Sequence, residues 1–175
     1  MNEGNELLIT SPFQLKELTE TSLLGIHKVK IYFDLWCKLD LGKLRLILQS
    51  SCVRELILLH FNRLLVNVHE LTQGFFEARY LEKLSLCTVD YTRLKLPKIL
   101  MGNLCLTLRE LRLSRFYCNE RSIVLFIRAL RNNDTLCLLE IGNVFKYCRK
   151  FAPSKPIFDL VESKRTQILG ESSSV

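Results

Sequence analysis

Residues 108–116 read LRELRLSRF, and the spacing of their leucines decides the fold. Leu108, Leu111 and Leu113 stand three and then two residues apart. The second interval is the period of a strand with one buried face; the first is not. A chain that changes period inside six residues is entering a strand from a turn. The pattern aliphatic-x-x-aliphatic-x-aliphatic recurs at Ile26–Ile31, Val53–Leu58, Leu81–Leu86 and Leu136–Ile141, so that the starts lie 27, 28, 27 and 28 residues apart. Copies at a nearly fixed period of this size mark a stacked array.

Each copy predicts a short strand. In the fourth, Leu111 and Leu113 face inward while Glu110, Arg112 and Ser114 face solvent, and Leu108 enters the core from the preceding turn. A strand this short cannot bury its apolar face alone, but stacked neighbours share one continuous core. The segments between copies must return the chain to the start of the next, parallel strand, which requires a crossover, usually a helix. ERSIVLFIRALRNND places Ile123, Ile127 and Leu130 on one face, joined by Phe126. RLLVNVHELTQGFFEAR does the same with Leu64, Val68, Leu71 and Phe75. A third helix is expected around Leu44, Ile47 and Leu48, and a short fourth that starts near Pro97. Ser50-Ser51, Gly102-Asn103 and Asn132-Asn133-Asp134 supply the turns before strands. The expected fold is therefore α/β: a short solenoidal arc with about five parallel strands on its concave face and helices on its convex face. Residues 1–25, including SPFQLKEL, form an N-terminal cap or tail. The array occupies 26–151, closed by VFKYCRKF, and 152–175 form a C-terminal tail that is flexible at its end.

With 175 residues, 48% of them hydrophobic and only 7 Gly and 4 Pro, the chain has material for a core and little linker. The opening MNEGN is polar, with no basic start leading into an apolar run, so no signal peptide is expected, and no apolar run is long enough to span a membrane. The 7 cysteines are odd in number and contain no C-x-x-C pair, which points to reduced thiols packed as small hydrophobes rather than to disulfides or a metal site. Together these place the chain in the cytoplasm or nucleus. The net charge of +7 permits an acidic partner or nucleic acid, but the charges are spread, and no basic run is interleaved with aromatics as in an RNA-binding motif.

The pattern resembles the leucine-rich repeat superfamily, and its helix-rich unit looks most like the ribonuclease-inhibitor-like class. IRALRNNDTLCLLEIGN, with helix, Asn turn and then L-x-x-L-x-I, is the closest fit, similar to repeats of intracellular immune receptors and actin-filament regulators. The likeness covers roughly residues 22–145. It implies a non-catalytic scaffold or adaptor that grips another protein by its concave face. In the wider family such arrays also serve as the recognition part of ubiquitin ligases or immune sensors. One position departs. Repeats of the family place Asn or Cys three residues after the last strand aliphatic, to satisfy loop backbone; here Asp34, Phe61, Val89, Phe116 and Val144 stand there. Either the array has degenerated, or bulky apolar groups pack these loops.

The solvent-facing positions of the predicted strands form columns: Lys28, Lys30 and Tyr32; Glu55, Ile57 and Leu59; Lys83, Ser85 and Cys87; Glu110, Arg112 and Ser114; Leu138, Glu140 and Gly142. Tyr32, Ile57 and Leu59 are the expected anchors of a protein contact, with Lys30 and Arg112 steering acidic groups. The terminal Ser173-Ser174-Val175 matches the S-x-V pattern of a peptide that adds a strand to a PDZ domain. His27, His60 and His69 lie in no catalytic motif: there is no phosphate-binding glycine loop, no G-x-S-x-G and no H-E-x-x-H. No enzyme activity, cofactor or metal is expected. A basic nucleic-acid-binding module is the alternative from another class.

Overall fold

The computed structural model describes residues 5–32, 40–59, 68–87, 95–114, 116–118, 120–141 and 144–146. Strands β1 (Glu6–Ile9), β2 (Lys28–Tyr32), β3 (Glu55–Leu59), β4 (Lys83–Cys87), β5 (Glu110–Ser114) and β7 (Leu138–Ile141) form a six-stranded sheet in that order. Every neighbouring pair is parallel. Two further strands, β6 (Phe116–Cys118) and β8 (Val144–Lys146), make a separate parallel pair. The protein is thus α/β, and its sheet follows chain order without a crossover between non-adjacent strands.

The sequence period is the strand register. Val29 pairs with Leu56, Leu56 with Leu84, Leu84 with Leu111 and Leu111 with Leu139, so equivalent residues lie side by side. The turns into β3, β4, β5 and β7 are built the same way. The amides of Arg54 and Glu55 both donate to the His27 carbonyl, at 2.9 and 3.0 Å. Those of Glu82 and Lys83 share the Arg54 carbonyl, those of Arg109 and Glu110 share that of Glu82, and those of Cys137 and Leu138 share that of Arg109. In a regular strand successive amides point to opposite sides; here two in a row point to one acceptor. The backbone bends between them, much as at a β-bulge. That bend lets side chains three apart, such as Leu108 and Leu111, both enter the core before the period of two takes over.

Helices α1 (Pro12–Lys16), α2 (Leu41–Gln49), α3 (Val68–Glu77), α4 (Leu96–Leu100) and α5 (Glu120–Arg131) pack consecutively, each on the next. Single 3-10 turns lie at Thr21–Leu23 and Asn103–Leu106. Asp40 caps α2 by accepting from the Lys43 amide at 3.1 Å. Pro97 stands in the first turn of α4, where its missing N–H is harmless, and the helix is short, as the proline predicts. One core joins both layers: Val29, Leu56, Leu84 and Leu111 of the sheet are buried with Leu44, Ile47, Phe75, Ile99 and Phe126 of the helices. One sheet face is therefore covered and the other is open.

Residues 1–25, expected as a cap, contribute the edge strand β1 and α1. Ser11 and Gln14 form a reciprocal capping box at the start of that helix. Two of the five positions that hold neither Asn nor Cys, Phe116 and Val144, pair with each other in the β6–β8 ladder. Asp34, Phe61 and Val89, the closing segment 147–151 and the tail 152–175 lie outside the described residues.

Leu84, 1% exposed in one of the two central strands, belongs to the core that joins both layers. Leu84→Ala should lower the unfolding free energy by about 2–5 kcal/mol, measured by denaturant titration. Gly102 is held by close approach: a Cβ there would stand 2.6 Å from Phe76 Cδ2 and 2.9 Å from the Phe76 carbonyl oxygen. Gly102→Ala should destabilise by about 1–3 kcal/mol in the same assay, because backbone cannot yield as a side chain can.

Candidate functional site

The open face is set by the pleat. In-register parallel strands place equivalent side chains about 4.8 Å apart, so each outward position becomes a row across the sheet. The first row reads Glu6, Lys28, Glu55, Lys83, Glu110, Leu138. Acid and base alternate through the first five positions. Lys28 Nζ lies 3.8 Å from Glu6 and 3.1 Å from Glu55, and Lys83 Nζ lies 2.6 Å from Glu110. Like charges at this spacing would repel along the whole row; alternation turns the same geometry into a ladder.

The second row reads Leu8, Lys30, Ile57, Ser85, Arg112, Glu140. Its cations are engaged. Lys30 Nζ sits 2.6 Å from Glu6, and Arg112 lies between Glu110 at 3.5 Å and Glu140 at 3.3 Å. Lys30 and Arg112, expected to steer acidic partners, are thus neutralised within the face. Each pair is solvent-accessible, so water screens it and its own contribution is small. Their effect is to leave little net field over the sheet.

Apolar groups remain. Leu8 is 53% exposed and Tyr32 44% exposed, while Ile57 and Leu59 are half-buried. Leu8 and Ile57 flank Lys30, and Tyr32 pairs with Leu59 in the next row. These four form an island at the β1–β3 end of the face. Farther along, Leu138 is exposed, Ser85 and Cys87 are half-buried, and Ser114 pairs with Cys87. The structure therefore brings Tyr32, Ile57 and Leu59 together, as the columns predict, and adds Glu6 and Leu8 from β1. Those two escape the six-residue pattern because GNELLI has Gly4 where the first aliphatic should stand, and Leu7 pairs with Val29 only 22 positions later. The alternation Leu7-x-Ile9 and the Ser11–Gln14 box just after it were the signals available. Gly142, Ser173 and Val175 lie outside the described residues.

Elsewhere, His27 Nδ1 lies 3.2 Å from the Cys52 carbonyl, a turn contact between neighbouring units, and His60 is outside the described residues. Cys52, Cys87, Cys105 and Cys137 are free thiols. Among the described residues no cluster of His, Cys, Asp and Glu could hold a metal ion, and no helix is long and apolar enough to cross a membrane. Comparison of the chain with protein-family models, curated proteins and solved structures found no match.

The ladder has a pH signature. The Lys30 hydrogen bond holds the Glu6 carboxyl below its ordinary range, and that of Glu110 holds Lys83 above its own. A depressed carboxylate stabilises the fold above its unfolded pKa, about 4.3, and loses that contribution as pH falls through the folded value. A raised lysine contributes below its unfolded pKa, about 10.4, and loses it as pH rises through the folded value. Docking of β1 should thus be flat above about pH 5 and weaken as pH falls through the Glu6 midpoint, whereas the β4–β5 contact through Lys83 should lose its contribution only as pH rises past about 10. An NMR titration should place the Glu6 carboxyl midpoint below that of glutamate in a short peptide, and Lys30→Gln should move it upward.

Proposed function

We propose that the chain is a non-catalytic scaffold of the leucine-rich repeat kind, acting in the cytoplasm or nucleus, and that it grips a partner protein across the open face of its sheet. The observation that carries this is the island of Leu8, Tyr32, Ile57 and Leu59 on a face whose charges are already paired. Aromatic and aliphatic groups within a polar rim are the composition of an interface centre. The paired charges define the partner: it presents an apolar knob, and its affinity depends little on salt. A nucleic-acid ligand would behave in the opposite way, since phosphate binding weakens steeply between low and moderate salt. The regular register and the turn hydrogen bonds support the repeat assignment. The recognition part of a ubiquitin ligase or immune sensor is a role that would use the same face.

Partners recovered by cross-linking and affinity purification from the native cell should be lost on Ile57→Asp and weakened at least 10-fold by Tyr32→Ala, the loss expected of interface anchors. Reversal of Arg112, outside the island, should change affinity by less than 3-fold, within the small effect of a rim charge. A partner retained by Ile57→Asp and Tyr32→Ala, with folding verified by circular dichroism, would remove this face from consideration.

A further inference from the structure

The turns that feed the strands also line up, and they carry a second set of charges. The residue just before each strand projects its side chain along the sheet's rim, and the carbonyls of Arg54, Glu82 and Arg109 are each shared by two amides. Successive strands place Arg54, Glu82, Arg109 and Cys137 there, about 4.8 Å apart. Together with Arg79, Tyr80, Leu106, Thr107, Asp134 and Thr135 they line a groove of about 450 Å³.

Arg54 is held in place: its Nε lies 3.3 Å from Glu82, and its guanidinium sits 5.6 Å from the centre of the Tyr80 ring. Arg79 and Arg109 are exposed and form no ion pair among the described residues, in contrast to every basic side chain of the open face's first two rows. Between them the groove offers exposed apolar surface, with Leu106 74% and Tyr80 41% exposed. Thr107 Oγ1, in the wall, is buried without a hydrogen-bond partner among the described residues.

We propose that this rim groove is a separate binding site for a short, extended acidic peptide of a partner protein, one that carries Asp or Glu beside an aliphatic residue. Arg79 and Arg109 receive the carboxylates, since a planar guanidinium fork matches a carboxylate with two parallel hydrogen bonds. Leu106 and the Tyr80 ring take the aliphatic neighbour. From Arg54 to Cys137 the rim spans three strand steps, roughly 14 Å, enough for about four extended residues. A nucleic-acid backbone fits less well: its charges are continuous, whereas Glu82 and Asp134 interrupt the groove with charge of the same sign. This site does not depend on the open-face reading.

The test is selection of a displayed random-peptide library on the whole folded chain, followed by fluorescence polarisation with the enriched peptides and with a labelled thymidine 12-mer. Enriched sequences should carry Asp or Glu within two residues of an aliphatic. Binding should fall at least 10-fold in Arg79→Glu/Arg109→Glu, and in the milder Arg79→Gln/Arg109→Gln, with circular dichroism unchanged. A peptide in which Lys replaces the acids should bind the Glu double variant better than the parent chain. Ile57→Asp, on the open face, should leave peptide binding within 2-fold. Peptides without acids, equal binding to both arginine variants, loss of binding on Ile57→Asp instead, or tighter binding of the 12-mer that the arginine variants weaken, would each overturn the assignment.

Discussion

Everything in this structure hangs on one backbone carbonyl per unit that accepts two successive amides from the next unit. The His27, Arg54, Glu82 and Arg109 carbonyls each do so. Because the two donors are adjacent in sequence, the chain must bend where it meets its neighbour, and the bend always falls just before the strand. That fixes the register of the β2–β3, β3–β4, β4–β5 and β5–β7 pairs. It also forces the three-then-two spacing, because only a bent backbone can turn both Leu108 and Leu111 into one core. The apolar pattern and the hydrogen bonds therefore specify the same stacking, and agreement between levels of this kind gives a chain one structure.

In-register stacking sets a second condition. Equivalent residues become neighbours, so whatever a column carries is brought side by side. For core positions this is favourable: Val29, Leu56, Leu84 and Leu111 form a continuous buried row. For charged positions it is not, and the first outward row meets the difficulty by alternating Glu and Lys. The turns show the same economy. Side chains cross to neighbouring carbonyls: Lys43 to Leu18 at 2.6 Å, Thr135 to Cys105 at 2.7 Å and Asn103 to Glu77 at 3.5 Å. Buried Asn133 accepts the Leu136 amide at 2.8 Å and holds the last turn. These contacts serve backbone groups that the ladder leaves unpaired, which would be expensive to bury alone.

The five strands with a complete L-x-x-L-x-L pattern were legible from residues because each position of that pattern answers to a distinct constraint, turn or pleat. β1 was harder to read because at an edge the constraint relaxes. Gly4 replaces the aliphatic that would enter from the turn, and the unit that follows is shorter, so both the pattern and its period fail together. The outward columns were legible for the same reason as the strands. Their pairing was not, because alternation of Glu and Lys becomes visible only once residues 27 or 28 apart are set beside each other. Lys30 read alone is a free cation; next to β1 it is the partner of Glu6. The β6–β8 pair was hidden for another reason. Phe116 and Val144 read as two unrelated loop residues 28 positions apart until they are seen to pair with each other.

Where function can reside follows from what remains unspent. Inward positions are consumed by the core, and several polar turn side chains are tied to neighbouring carbonyls. Among the described residues the open face pairs its charges within itself and carries an apolar island, whereas on the rim Arg79 and Arg109 form no ion pair. A surface whose charges are matched internally discriminates by shape and apolar fit; one with unmatched charges discriminates by the charge it meets. On the proposed readings these are two kinds of recognition on two edges of one stack, and both arise from the same rule. A column of outward side chains is free to bind only where its neighbours in the stack do not satisfy it first.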